Sequence, residues 1–295
     1  VETYLNTGGG DKFFIRKDFP GVEAEFIQPF IKSPSDLNEV VISPGHAKWK
    51  LLLAPKSRKA HKSGLRRYLA VGIKKKVNLR SNAPAPWWIL PKQAYKPGKM
   101  LHNRIHHDSH AVFLNKSKIA NTNFYALWPL RRHVSDEVWV AYLNSTFFAF
   151  QREFMGRVNF GMGALKTEGT DIKKFLVVKS ELLKKHETQL KKALTVLSKR
   201  PIRSLFDDIG ASKREDVDLN NIKSDRRALD KIVMGDILGL TDEEQLEVYR
   251  AVVDLVKSRL EKAKSADKGK TRDGLDIDMA KKSVFGRIEG QKGPE

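Results

Sequence analysis

The sequence predicts an α+β protein: a β-rich, strongly basic module, then bracing α-helices and a helical C-terminal segment. Three observations predict it. Up to residue 129 the apolar residues come in short runs broken by Gly, Pro, Asn and Ser, the pattern of strands and turns. From Ser135 onward they recur every three or four residues, as on amphipathic helices. The positive charge is concentrated before that change, since residues 40–135 carry 20 basic side chains and one acidic one, Asp108.

In the first part, Lys12–Ile15, Phe26–Ile31, Lys50–Ala54, Trp87–Leu90, Ala111–Leu114 and Phe124–Pro129 read as strands. Only Gly64–Val71 has helical periodicity there. Ser135 then reads as the cap of a helix that carries Trp139, Leu143, Phe147 and Phe150 on one face and stops at Gly156. Arg157–Glu168 reads as a loop and Phe175–Val178 as one more strand. Ser180 opens a helix with Leu183, Leu190, Leu194 and Leu197 on one face, ending before Pro201. Residues 201–223 are polar and read as a linker. Ser224 begins a third helix that ends near Gly239. Thr241 and Glu244 make a capping box for a last helix carrying Leu246, Tyr249, Val253, Val256 and Leu260. After Ala266 the chain is polar and glycine-rich, a flexible tail. The domains expected are a recognition domain over 1–200, the linker, a helical pair over 224–265 and the tail.

The 295 residues hold no cysteine, which excludes disulfides, thiolate catalysis and cysteine-based zinc sites. No apolar run approaches the roughly 18 residues of a membrane span, and the N-terminus lacks a signal peptide, so a cytoplasmic protein is expected. The chain starts at Val1 rather than Met and is expected to be cut from something longer. Its formal net charge is +20. From Val40 to His107 there is no Asp or Glu at all, whereas a surface that merely needs solubility mixes both signs. A one-sign tract of this length points to a polyanion, with nucleic acid ahead of a merely solubilising face or an anionic membrane.

Catalytic signatures are missing. There is no dinucleotide glycine fingerprint and no phosphate-binding loop ending in Gly-Lys-Ser/Thr, so neither a catalytic nor a cofactor-binding residue is assigned. His102, His106 and His110, four apart and close to Asp108, would suit a metal-dependent nuclease only on a helix. The segment runs straight into a strand, so a polar DNA-facing loop is preferred and no metal ligand is assigned. Lys56, Arg58, Lys59, Lys62, Arg66, Arg67 and Lys74–Lys76 are candidate phosphate contacts. Arg80 is a candidate base reader, because a guanidinium can engage both acceptors of guanine. Trp87 and Trp88 either cover unstacked bases or belong to the core; the core reading is preferred.

Taken together, several segments resemble the target-recognition half of the gamma-class (TaqI-like) adenine-N6 DNA methyltransferases of restriction-modification systems. They are Thr7-Gly-Gly-Gly-Asp-Lys-Phe-Phe-Ile15, Glu25-Phe-Ile-Gln-Pro-Phe-Ile-Lys32, Arg80 with Pro86-Trp87-Trp88, and Ala111–Asn115 with Asn123-Phe-Tyr125. The most specific run joins Leu143-Asn-Ser145, Glu153–Arg157, Gly161-Met-Gly-Ala-Leu-Lys166 and Asp171–Phe175. Arg226–Asp230 and the helix to Arg259 look like that family's C-terminal helical pair.

The family's methyl-donor glycine motif and its Asn/Asp-Pro-Pro-aromatic motif are missing. The resemblance therefore implies a fragment that binds double-stranded DNA without methylating it. S-adenosylmethionine and the catalytic residues are expected in an N-terminal methyltransferase domain of the same parent chain. The resemblance places DNA contacts at Thr7, Gly8 and Lys12, at Arg58 and Lys59, at Arg80, at Arg104 and His106, and at Arg157, Gly161, Gly163 and Lys166. Ordinary surface charge (Arg157, Lys166) and a turn without ligand (Gly161, Gly163) stay open beside that reading. So do a stand-alone specificity subunit served by partner chains and the nuclease centred on His102–His110.

Overall fold

A computed structural model describes residues 11–79, 85–90, 97–121, 123–128, 133–160 and 163–266. In chain order the elements begin with α1 (Asp11–Phe14), β1 (Ile15–Arg16), β2 (Ile27–Ile31), β3 (Trp49–Leu52) and α2 (Ser63–Lys74). Then come β4 (Met100–Asn103), β5 (Ile105–His106), β6 (Val112–Leu114), β7 (Ala120–Asn121) and β8 (Phe124–Leu127). Next are α3 (Asp136–Leu143), α4 (Thr146–Met155), β9 (Arg157–Phe160), β10 (Ala164–Lys166) and α5 (Gly169–Ile172). The series ends with α6 (Ser180–Lys185), α7 (Glu187–Leu197), α8 (Leu205–Ile209), α9 (Ser224–Asp230) and α10 (Asp242–Ala266). The fold is α+β, and the chain divides into two compact units. Unit 1 is Val1–Asn103 with Phe113–Trp128; unit 2 is Arg104–Val112 with Pro129–Glu295.

Unit 1 is built on a four-stranded sheet in the order β1-β3-β2-β7. The β1 and β2 strands run antiparallel to β3, and β7 runs parallel to β2. A second small sheet has the order β6-β4-β8. Phe14, Phe30, Leu51 and Leu52 form the core, which Leu65 and Leu69 of α2 close from the helix side. Two features seat α2. The Glu23 carboxylate accepts from the backbone N–H of Gly64 (2.8 Å) and of Leu65 (2.9 Å), satisfying donors at the helix start that lack partners within the helix. Gly64 itself is obligatory, because a Cβ there would lie 1.9 Å from the Gly21 carbonyl oxygen.

Unit 2 pairs the sheet β5-β10-β9 with the helices. Helix α3 packs on α7, α4 on α10, and both α4 and α7 on α9. Polar residues lock these packings. Asp230, at the end of α9, is buried and accepts from the Thr146 N–H (2.8 Å), the Thr146 hydroxyl (2.6 Å) and the Tyr249 hydroxyl (2.9 Å). Arg226, one turn earlier, donates to Asp208 at 2.8 and 3.2 Å and also to the Asn144 carbonyl.

Several expected elements take other forms. Lys12–Ile15 is mostly the turn of α1 rather than a strand, and Trp87–Leu90 begins as a turn. The helix from Ser135 is two helices. Asn144 turns its amide to the carbonyls of Val140 and Val112, both at 2.8 Å, and Ser145 restarts the helix by accepting from the Phe148 N–H. The 157–168 loop contains the strands β9 and β10. Among the described residues Phe175–Val178 pairs with no strand; the Gln151 side chain instead meets the N–H and carbonyl of Leu176 (2.7 and 3.0 Å). The Ser180 helix breaks at His186 into α6 and α7. Residues 201–223 are packed rather than extended, with Leu205, Asp208, Ile209 and Val217 buried. The capping box of α10 is present as read: Thr241 N–H donates to Glu244 at 2.9 Å, and Glu244 N–H to the Thr241 hydroxyl at 3.3 Å.

Because Asp230 satisfies three donors that have no water to turn to, Asp230→Ala is expected to destabilise unit 2 by about 3 kcal/mol. Tyr249→Phe, which removes one donor and leaves the carboxylate bonded, should cost about 1 kcal/mol. Urea denaturation of the two variants measures the ratio, and equal losses would contradict the hierarchy.

Candidate nucleic-acid interface

The exposed cations around α2 in unit 1 and the cations expected as contacts in unit 2 differ in whether a carboxylate stands against them. In unit 1 the tract climbs from the turn Arg58–Ala60 along α2. Lys56, Arg58, Lys59, Arg66, Arg67 and Lys74–Lys76 are all exposed. Among the described residues the ion pair on this surface is that of Lys62 with Glu25, at 2.8 Å. The helix presents Arg67, Val71 and Lys74 as one row (spacings of four and three) and Arg66, Ala70 and Ile73 as another. Arg58 lies over the Trp88 ring at 5.0 Å from the centroid. Trp88 is buried and donates its indole N–H to the Pro55 carbonyl at 3.0 Å, while Trp87 is half-buried.

In unit 2 the expected DNA contacts are matched internally. Arg157 forks onto Asp171, with Nε and Nη2 each at 3.1 Å from a carboxylate oxygen. Arg104 donates to both oxygens of Glu168 at 3.3 Å, and Lys166 pairs with the same carboxylate. Arg157 and Lys166 face each other in the small sheet, and Arg104 immediately precedes β5, whose Ile105 stands opposite Lys166 on its other side. The acids come from α5, where Glu168 and Asp171 form a reciprocal capping box. That box was legible as Glu168-Gly-Thr-Asp171, a spacing of three that sequence reading passed over.

Two of the expected contacts are buried. His106 is 2% exposed and stacks on His110, with centroids 4.9 Å apart, so it offers no surface to a duplex. Gly163 has φ +68° and lies under α10, where a Cβ would come within 3.0 Å of Leu260; its carbonyl accepts from Arg259. Its glycine therefore serves packing. Lys12 is exposed on α1. Thr7, Gly8, Arg80 and Gly161 lie outside the described residues.

The histidines have structural partners. His102 is buried in β4 of unit 1. In unit 2, His110 bonds Glu153 (2.6 Å), whose carboxylate also accepts two bonds from Arg259 at 2.8 and 2.9 Å. Burial raises the cost of ionising Glu153, yet the bonds from His110 and Arg259 hold its carboxyl below the ordinary value. Burial, reinforced by the nearby charge of Arg152, pulls His110 down from 6.5 to about 4. Among the described residues no group of three or more His, Cys, Asp or Glu could hold a metal ion. No described helix is long and apolar enough to cross a membrane.

Residues 36–209, more than half of the chain, match the family of the C-terminal domain of the type II methyltransferase M.Eco57I. The chain belongs to that family. The stretch matched takes in α2, both small sheets that follow it, and the helices through α8. The fold is similar to that of a solved structure, the type IIG restriction endonuclease BpuSI, with a TM-score of 0.53 and 12% identity. The similarity covers 86% of this chain and 29% of that one, so the chain spans under a third of the enzyme's length. No curated protein sequence matches it. The His110–Glu153–Arg259 cluster joins the segment between β5 and β6 to α4 and α10, and so supports the matched domain as packing.

A histidine kept neutral in the fold makes acid destabilising. Above pH 6.5 the folded and unfolded chains hold the same proton count at His110, and as pH falls toward 4 only the unfolded chain gains the proton. The stability lost over that window reaches about 3 kcal/mol. His110→Gln, which can still donate to Glu153, is expected to flatten the fall in denaturation free energy between pH 6.5 and 4 by up to one proton's worth. An unchanged slope would remove His110 as the titrating group.

Proposed function

We propose that this chain is the target-recognition half of a restriction-modification adenine-N6 DNA methyltransferase of the gamma-class type, binding duplex DNA through the α2 surface of unit 1. The observation that carries the reading is the row of exposed cations from Lys56 to Lys76, in a methyltransferase C-terminal domain, with almost no carboxylate against it. Such a surface lowers its energy by exchanging mobile counterions for backbone phosphates. Arg157, Lys166 and Arg104 would first have to leave Asp171 and Glu168, so they serve the reading as pre-positioned groups rather than as the main electrostatic footprint.

Methylation of an adenine exocyclic amine requires the base to leave the duplex. In this reading a catalytic domain of the same parent chain supplies that pocket and binds S-adenosylmethionine, in the cytoplasm. The present residues do not fit that cofactor: the basic surface of unit 1 would repel its sulfonium and ammonium charges. No methyl-transfer step is therefore assigned to this chain, whose part is to grip the duplex and fix its register.

Each cation neutralising a phosphate steepens the dependence of log affinity on log salt by about 0.9. Arg67→Ala combined with Lys74→Ala is expected to lower the slope by about 2 on any duplex sequence. Arg157→Ala with Lys166→Ala should change it by less than about 1, because both are already paired. Anisotropy titrations across a salt series measure these slopes. A reversed order would move the interface to unit 2.

A further inference from the structure

Between the turn at Arg58–Ala60, α2 and the Trp87–Trp88 turn, unit 1 holds an open cavity of about 460 Å³, within the roughly 300–1,000 Å³ range of small-ligand clefts. Its composition is divided. Arg58, Lys59 and Arg66 stand on its lining as exposed cations without a carboxylate partner among the described residues. Ile73, Trp87 and Trp88 line it as apolar and aromatic surface. Ile73 is 52% exposed, an unusual position for a large aliphatic side chain, on a helix that also exposes Arg66, Arg67 and Lys74.

The cavity is kept open by the backbone. Gly72 lets the Trp87 indole and the Phe13 ring sit directly on α2, where a Cβ would meet each at 2.6 Å. Trp87 also packs against Phe13, Phe14 and Trp88 at centroid distances of 6.0 to 6.3 Å, which fixes its plane. Ala70, one turn before Ile73 on the same row, is too small to fill the space. A fixed aromatic wall selects a flat π-system, and a cationic rim selects an anion bonded to it. Together these are the two halves of a nucleotide.

We propose that this cavity receives one unpaired nucleotide of the bound DNA. Its base lies against the Trp87 and Ile73 wall, and its flanking phosphates meet Arg58, Lys59 and Arg66. The proposal rests on the DNA-recognition reading and deepens it: the recognition half holds a displaced nucleotide of its own, besides gripping paired backbone. A fully paired duplex would use the α2 cations and leave the cavity empty.

The test compares the chain's affinity for a fully paired duplex, the same duplex carrying one bulged thymidine, and free thymidine monophosphate. The bulged duplex is expected to bind about tenfold more tightly than the paired one, the order of a base–aromatic stack. Ala70→Phe, a substitution of an exposed residue that fills the cavity, should abolish this preference and leave paired-duplex affinity within about twofold. Trp87→Leu should do the same, and tryptophan emission should fall on binding the bulged duplex in the wild-type chain only. Equal binding of paired and bulged duplexes, or a preference that survives Ala70→Phe, would overturn the nucleotide site while leaving the recognition reading intact. Free thymidine monophosphate binding as tightly as the bulged duplex would instead mark a free-nucleotide site and also overturn it. Binding of neither duplex would remove the recognition reading itself.

Discussion

Burying a guanidinium is costly without an acceptor that replaces its water, and that constraint governs how this chain distributes its charge. In unit 2, Arg226 meets Asp208, Arg259 meets Glu153, and Arg200 meets Asp208 and Asp225. These pairs join elements far apart in sequence, and so double as the polar locks between helices. Arg152 is the exception. It is fully buried, lies over the Phe148 ring, and among the described residues has no hydrogen-bond acceptor at Nε or Nη1. Burial accordingly pulls its pKa down to about 9. Unit 1 has no acid between Val40 and Asn103, so the positive charge of that stretch is left largely unmatched, and α2 holds it at the surface.

That allocation separates two groups of residues that look alike in sequence. Arg58 and Arg157 are both exposed arginines next to a glycine- or serine-containing turn. One stacks on an indole and faces solvent, and the other is held by a two-pronged bond to Asp171. Membership of the M.Eco57I C-terminal domain family sets both within a methyltransferase context. The charge on each side then says which surface is ready to meet a polyanion and which must first be released.

Much of this was legible in the sequence and some was not, for physical reasons. The α10 boundary was readable because Thr241 and Glu244 act locally, and the acid-free run from Val40 to His107 was readable as charge alone. The break between α3 and α4 was hidden, since Asn144 turns its amide to Val112 and Thr146, at the start of α4, donates to Asp230, both partners distant in sequence. The packed state of 201–223 was hidden likewise: a polar stretch looks like a linker until Asp208 is matched to Arg200 and Arg226. His106 read as a surface residue because histidine is polar, yet its stacking on His110 depends on the β5–β10 pairing. Local signals survive translation from sequence to structure; partners distant in sequence do not.

The central claim is that duplex DNA settles on the α2 surface of unit 1. Amide hydrogen exchange of the full chain with and without duplex DNA tests it directly. The account predicts slowed exchange across residues 58–76 on binding, with little change over 157–171. Protection confined to 157–171, with α2 unaffected, would contradict it.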